Sequence, residues 1–175
     1  MKRCVILLMV IFLFYVFISN SLAKEIVIPN DALRIRIIPN SNSEYDQLIK
    51  GKVRDSLEIT MYDLLKGAKS GEEARNIIVD NLDLVDKDVK KVLNGEGYNL
   101  GYKVNYGYNY FPEKEYKGIK YGEGYYESLL VTLGKGEGDN WGCVLFPPLC
   151  LIEGEESSDV EYKSIVSEIL QKYLS

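Results

Sequence analysis

The sequence predicts an α+β domain in which amphipathic helices pack on a mainly antiparallel sheet, and three observations carry that prediction. Apolar residues recur at three- and four-residue spacings between Tyr45 and Leu93, alternate with polar ones from Tyr98 onward, and return to helical spacing over 159–174. Helical and strand periods thus come in blocks, which points to segregated layers and not to a regular βαβ alternation. Residues 24–175, all that follows an apolar leader, are the right length for one domain with one core.

Leu33, Ile35 and Ile37 alternate with Arg34 and Arg36, a strand with one apolar face that Pro39 ends. Asn40-Ser41-Asn42-Ser43 supplies a turn and an N-cap, with Asp46 completing a weak capping box, so a helix begins near Glu44. Its stripe runs through Tyr45, Leu48, Ile49, Val53, Leu57, Met61, Leu64 and Leu65, and Gly67 marks its end. A second helix follows Ser70-Gly71, with Glu72 and Glu73 at its positive end and Ala74, Ile77, Ile78, Leu82 and Val85 inward. Asp86 caps a third over 87–93, terminated by Asn94-Gly95.

From Tyr98 to Tyr110 the period is two, and nine of the fourteen tyrosines fall between Tyr98 and Tyr126, as sheet packing or as a partner surface. Residues 113–124 read as a polar connection, and 127–133 as the next strand. The glycines of Gly134-Lys135-Gly136-Glu137-Gly138 mark a hairpin into a strand at Trp141–Phe146. A phosphate loop would need a helix after it and no acids in it. Residues 153–159 form an acidic link to a last amphipathic helix, 159–174.

Met1-Lys2-Arg3 is followed by an apolar run from Val5 to Ile18 and by Ser21-Leu22-Ala23, the pattern of a secretory signal peptide cleaved after Ala23. As a helix that run covers roughly 21 Å, short of the ~30 Å hydrocarbon core, although an uncleaved membrane anchor is the alternative. Two domain-level segments result, 1–23 and 24–175. Lys2 and Arg3 are the charges in the leader, so its removal takes the net charge from −5 to −7. An acidic exported domain is a poor partner for nucleic acid.

Histidine is absent. That removes Ser-His-Asp and Cys-His catalysis and the HExxH zinc site, and neither a G-x-S-x-G nor an aspartic-protease signature is present. No catalytic residue, cofactor or metal site is expected. Cys143 and Cys150 are the cysteines of segment 24–175, too few for a zinc clip and too far apart for C-x-x-C. They are a disulfide or two buried thiols. A bridge requires the chain to reverse, since seven extended steps span about 23 Å and bridged Cα atoms lie ~5.5 Å apart; Pro147-Pro148 stands where it must turn.

Two blocks resemble the stage II sporulation protein R family of endospore-forming bacteria. One is RIRIIPNSNSEYDQLIKGKVRDSL, residues 34–57, and the other is YGEGYYESLLVTLGKGEGDNWGCVLFPPLC, residues 121–150. Gly142 departs from the pattern, standing where many members carry a second aromatic after Trp141. The resemblance implies a protein exported from the forespore into the space between it and the mother cell. There it would trigger a membrane-embedded aspartic protease that removes the pro-sequence of a mother-cell sigma factor, touching the membrane only through its N-terminal segment. It implies a ligand and not an enzyme, with candidate contacts at Asn40, Asp46, Lys52, Arg54 and Asp55, and at Trp141 and Phe146 in the strand-turn. Asp46 as a helix cap and Arg54 as a partner of Asp55 or Glu58 are the structural alternatives. The competing functions are a cell-envelope-acting enzyme using Asp55 and Glu58, and an inert spore-envelope component.

Overall fold

The structure is a computed structural model that describes residues 28–29, 31–116, 119–149 and 159–174, besides Met9. The leader with Ala23, the acidic 151–158 run and Cys150 lie outside these residues.

Strand β1 (Leu33–Ile38) and helix α1 (Glu44–Leu65) form as their patterns require. Ser43 is the N-cap, its hydroxyl accepting the Asp46 N–H at 3.2 Å. Ile49, Val53, Leu57, Met61 and Leu65 make the buried stripe, while Tyr45 and Leu48, expected in it, are exposed. Helix α2 (Gly71–Asp80) is capped by Ser70, and α3 spans Leu82–Gly95. The second helix therefore ends before Leu82, and the third does not start at Asp86. The break is at Asn81, whose side-chain amide donates to the Ile77 carbonyl at 2.8 Å and whose backbone is non-helical, at φ −114° and ψ 17°. A polar side chain that bonds nearby backbone competes with helix continuation. The turn lets Val85, Val89 and Leu93 bury, while Asp88 accepts the hydroxyls of Ser56 and Thr60 across from α1 at 2.8 and 2.9 Å.

Strands β2 (Tyr102–Phe111), β5 (Gly124–Leu133), β1 and β6 (Trp141–Phe146) form one sheet in the order β2-β5-β1-β6. The β2–β5 and β1–β6 pairs are antiparallel and β1–β5 is parallel. Four helices among the described residues and this mixed, mainly antiparallel sheet bear out the α+β expectation.

Two expectations are corrected. The 113–124 connection contains a small hairpin, β3 (Lys114–Tyr116) and β4 (Ile119–Tyr121), with Ile119 and Tyr121 buried. And the glycine loop does not close a β5–β6 hairpin, because β1 lies between those strands. The physical reason is that β1 is covered on both faces, by the main core over Leu33, Ile35 and Ile37 and by aromatic rings over Arg34, and so sits as an inner strand. The loop has to step over the end of β1, and it bonds there: the Glu137 and Gly138 N–H groups donate to the Asn40 and Pro39 carbonyls at 3.2 and 3.1 Å.

The main core joins Leu33, Ile35 and Ile37 with Leu129, Val131, Leu133, Cys143 and the buried stripes of α1–α3. A second cluster lies on the opposite face, around Val144, Ile119, Tyr121, Ile28, Leu149 and Val166. Val166 belongs to α4 (Asp159–Leu174), which reaches both clusters, since Tyr173 meets Phe146 edge-on at 5.2 Å between ring centroids. The tyrosines divide. Tyr98, Tyr121 and Tyr126 are buried, whereas Tyr108 and Tyr125 are exposed.

Candidate binding surface

The two sequence blocks meet in space, and Asp46 is the hub of their junction. It is 6% exposed. Its carboxylate accepts from Asn40 Nδ2 at 2.9 Å and Ser41 Oγ at 2.5 Å. Those bonds, from Ser41 first and Asn40 next, hold its pKa below the ordinary carboxylate range against the opposing effect of burial. Asn40 in turn takes the Lys135 N–H on Oδ1 at 3.0 Å, Asn42 Oδ1 takes the Asp139 N–H at 2.6 Å, and Lys50 Nζ donates to the Asp139 carbonyl at 3.0 Å. Gly134 and Gly138 are required by this contact: a Cβ on the first would collide with the Asn40 side chain, and on the second with the Ser41 carbonyl. Gly134 also has φ +55°, a left-handed conformation that glycine adopts without strain.

Beside the junction, the other end of α1 and the β6 turn enclose a mainly apolar groove of about 450 Å³. Glu58, Ile59 and Tyr62 form one wall, Trp141, Leu145 and Pro148 the other, and Tyr173 contributes from α4. Ile59 is 66% and Tyr62 47% exposed, which is unusual for apolar groups beside a built concavity. Burial raises the Glu58 pKa, and Asp55 adds to that while Arg54 opposes it.

The proposed contact residues thus separate. Asn40 and Asp46 are engaged inside the junction. Lys52 pairs with Glu96, the C-cap of α3, at 2.7 Å, and Arg54 with Asp55 at 2.6 Å, both at the surface. Trp141 is half-buried in the groove wall, and Phe146 is buried against Tyr173. The reading of the sequence missed Ile59 and Tyr62, though an apolar residue off the Ile49–Leu65 stripe was a usable signal. Cys143 is buried on β6. After it Phe146–Pro147 is cis, and the Leu149 N–H returns to the Val144 carbonyl at 3.2 Å, so the turn expected at Pro147-Pro148 is present.

Chemically the groove is suited to holding an apolar segment of another molecule. Glu58 lines the groove and could carry a proton there, whereas Asp55, exposed and paired with Arg54, is not part of its lining. Among the described residues no group of His, Cys, Asp and Glu is placed to hold a metal, and no helix is long and apolar enough to cross a membrane.

Fold and surface together define a small α+β domain with a polar junction and an open, mainly apolar groove. The family model of stage II sporulation protein R matches residues 29–156. Stage II sporulation protein R of Bacillus subtilis (strain 168) is 37% identical over 187 aligned residues, covering 99% of this chain and 84% of that protein. The chain belongs to the stage II sporulation protein R family. No solved structure matches it.

Proposed function

We propose that this protein is a sporulation signal, exported across the forespore membrane, that activates a membrane-embedded aspartic protease of the mother cell and so releases a sigma factor from its pro-sequence. Family membership supports the sporulation role. The observation that carries the binding role is the groove between α1 and the Trp141–Pro148 turn, which takes an apolar segment of the protease.

A ligand activates by binding the active arrangement better than the inactive one. Driving a two-state protein from 1:99 to 99:1 needs about 5.5 kcal/mol of differential binding. Fully burying an apolar side chain contributes roughly 1.5–3 kcal/mol. Ile59 and Tyr62 are 66% and 47% exposed and Trp141 less, so the three together supply roughly 2–4 kcal/mol, a large part of that difference, when the groove meets its segment only in the active arrangement. A bridge between Cys143 and Cys150 belongs to the same reading, as a clamp on the groove's wall; the Leu149-to-Val144 return supports it.

The test is co-expression of the full chain, the protease and its pro-sigma substrate in a host that does not sporulate, followed by immunoblotting of the substrate. Processing that depends on the chain is the expected result. Equal processing with and without it would overturn the proposal.

A further inference from the structure

Arg34 and Arg36 stand two positions apart on β1, directed to the sheet face opposite α1–α3. Arg34 is 6% exposed, with its guanidinium 4.3 Å from the Phe111 ring centroid and 4.4 Å from that of Tyr126. Its Nε and Nη1 are buried without a hydrogen-bond acceptor. Arg36 lies 5.5 Å from the same Phe111 ring and donates from Nη1 to the Tyr110 carbonyl at 3.0 Å, but its Nε also lacks an acceptor.

Ion pairs among the described residues engage Lys52, Arg54, Lys66 and Arg75, and neither of these two. Strand alternation explains why. Positions 103, 105, 109 and 111 of β2, 126 to 132 in steps of two on β5, and 142 and 144 of β6 share the arginines' face, and no Asp or Glu occupies any of them. Glu127 points the other way, to Arg75 at 2.7 Å.

Arg34 has therefore been taken out of water and Arg36 partly so with no counter-charge among the described residues, an arrangement that is unfavourable unless something completes it. The Phe111 and Tyr126 rings, 5.8 Å apart at their centroids, cover adjacent sides of the Arg34 guanidinium and compensate in part. Arg34 Nε and Nη1 still lack an acceptor, and the fork geometry of a guanidinium matches an oxyanion. Gly142, the cross-strand neighbour of Arg36, puts no side chain beside it. The adjoining cluster is apolar, with Val144, Ile119 and Tyr121, while Ser128, the neighbour of Arg34 on β5, is taken up by Asn109 at 2.9 Å. A singly charged carboxylate is easier to strip of water than a phosphate dianion and suits such walls better.

We propose that Arg34 and Arg36 form a carboxylate-binding site that takes an acidic side chain of a peptide segment, on the sheet face away from the groove. The Arg36 end is its entrance, being only half-buried.

The test is ¹⁵N NMR of the arginine Nε–Hε signals in the full-length chain, titrated with sodium acetate, or with inorganic phosphate, at ionic strength held by chloride. Saturable shifts of both signals with acetate are expected, with affinity at least about tenfold weaker in Arg36→Met, the loss of one charge-assisted hydrogen bond. Arg36 is half-buried, so that variant stays folded. A second chain, with Glu153, Glu155 and Glu156 changed to Gln and Asp159 to Asn, separates the sources. Shifts with acetate only in that chain identify the protein's own acidic run as the ligand, and shifts in both identify an external one. No saturable shift in either chain, or tighter binding of phosphate than of acetate, overturns the proposal.

Discussion

Asp46 shows how one carboxylate can join two distant stretches of chain. It is reached from Asn40 and Ser41, and Asn40 also holds the loop at Lys135. Removing a buried charged acceptor costs about 1.5–3 kcal/mol, so Asp46→Ala lowers unfolding free energy by about that amount in urea titrations. The pH dependence follows from its depressed pKa in the folded state. Its contribution is complete above the unfolded carboxylate value, about 3.9, and is lost as pH falls through the lower folded value. Asp46→Asn should flatten that acid limb, leaving a smaller difference in stability between pH 5 and pH 2 than in the native chain. From the sequence, Ser43 was legible as the N-cap because that chemistry is local, but the capping-box bond from Asp46 is not made, since the Ser43 N–H donates to Ser41 Oγ at 3.1 Å. The reach of Asn40 to Lys135 was not legible, since no local pattern records which loop a turn will touch.

At the scale of elements, helix α1 does two things with two faces. Its buried stripe anchors the main core, while Ile59 and Tyr62 face the groove. Surface substitutions away from special contacts stay within about 0.5 kcal/mol. Ile59→Asp should accordingly unfold at the same temperature as the native chain, and yet abolish processing of the pro-sigma substrate in the co-expression assay. Full processing by that variant would remove the groove from the mechanism. Elements with an uninterrupted period were readable, as β1, α1, β6 and α4 show. The α2–α3 break was not, because Leu82 and Val85 continue the spacing of Ala74 and Ile78 while Asn81 bends the axis between them. The β3–β4 hairpin escaped because strands as short as Lys114–Tyr116 are too brief to display alternation.

For the whole molecule, the two cores share the sheet, and β6 takes part in both, through Cys143 and Leu145 on one face and Val144 on the other. Closing the short loop from Cys143 to Cys150 stabilises by roughly 2–3 kcal/mol on the chain-entropy model. Cys150→Ser should lower the unfolding midpoint in denaturant accordingly, and the native chain with dithiothreitol should match it; unchanged midpoints would mean two thiols. Architecture class was visible in the sequence, but strand order was not, for pairings such as Ile35 with Leu129 and with Cys143 leave no trace in local spacing.

Those pairings set a timetable. The first strand of the domain is an inner strand of the sheet, and both of its neighbours belong to the last third of the chain. A ribosome adding about 5–20 residues per second leaves Leu33–Ile38 with two bare edges for several seconds before Leu129 and Cys143 exist. Whatever keeps the emerging chain apart from its copies must act during that interval, and a chain stopped before β5 would retain the same sticky ribbon permanently.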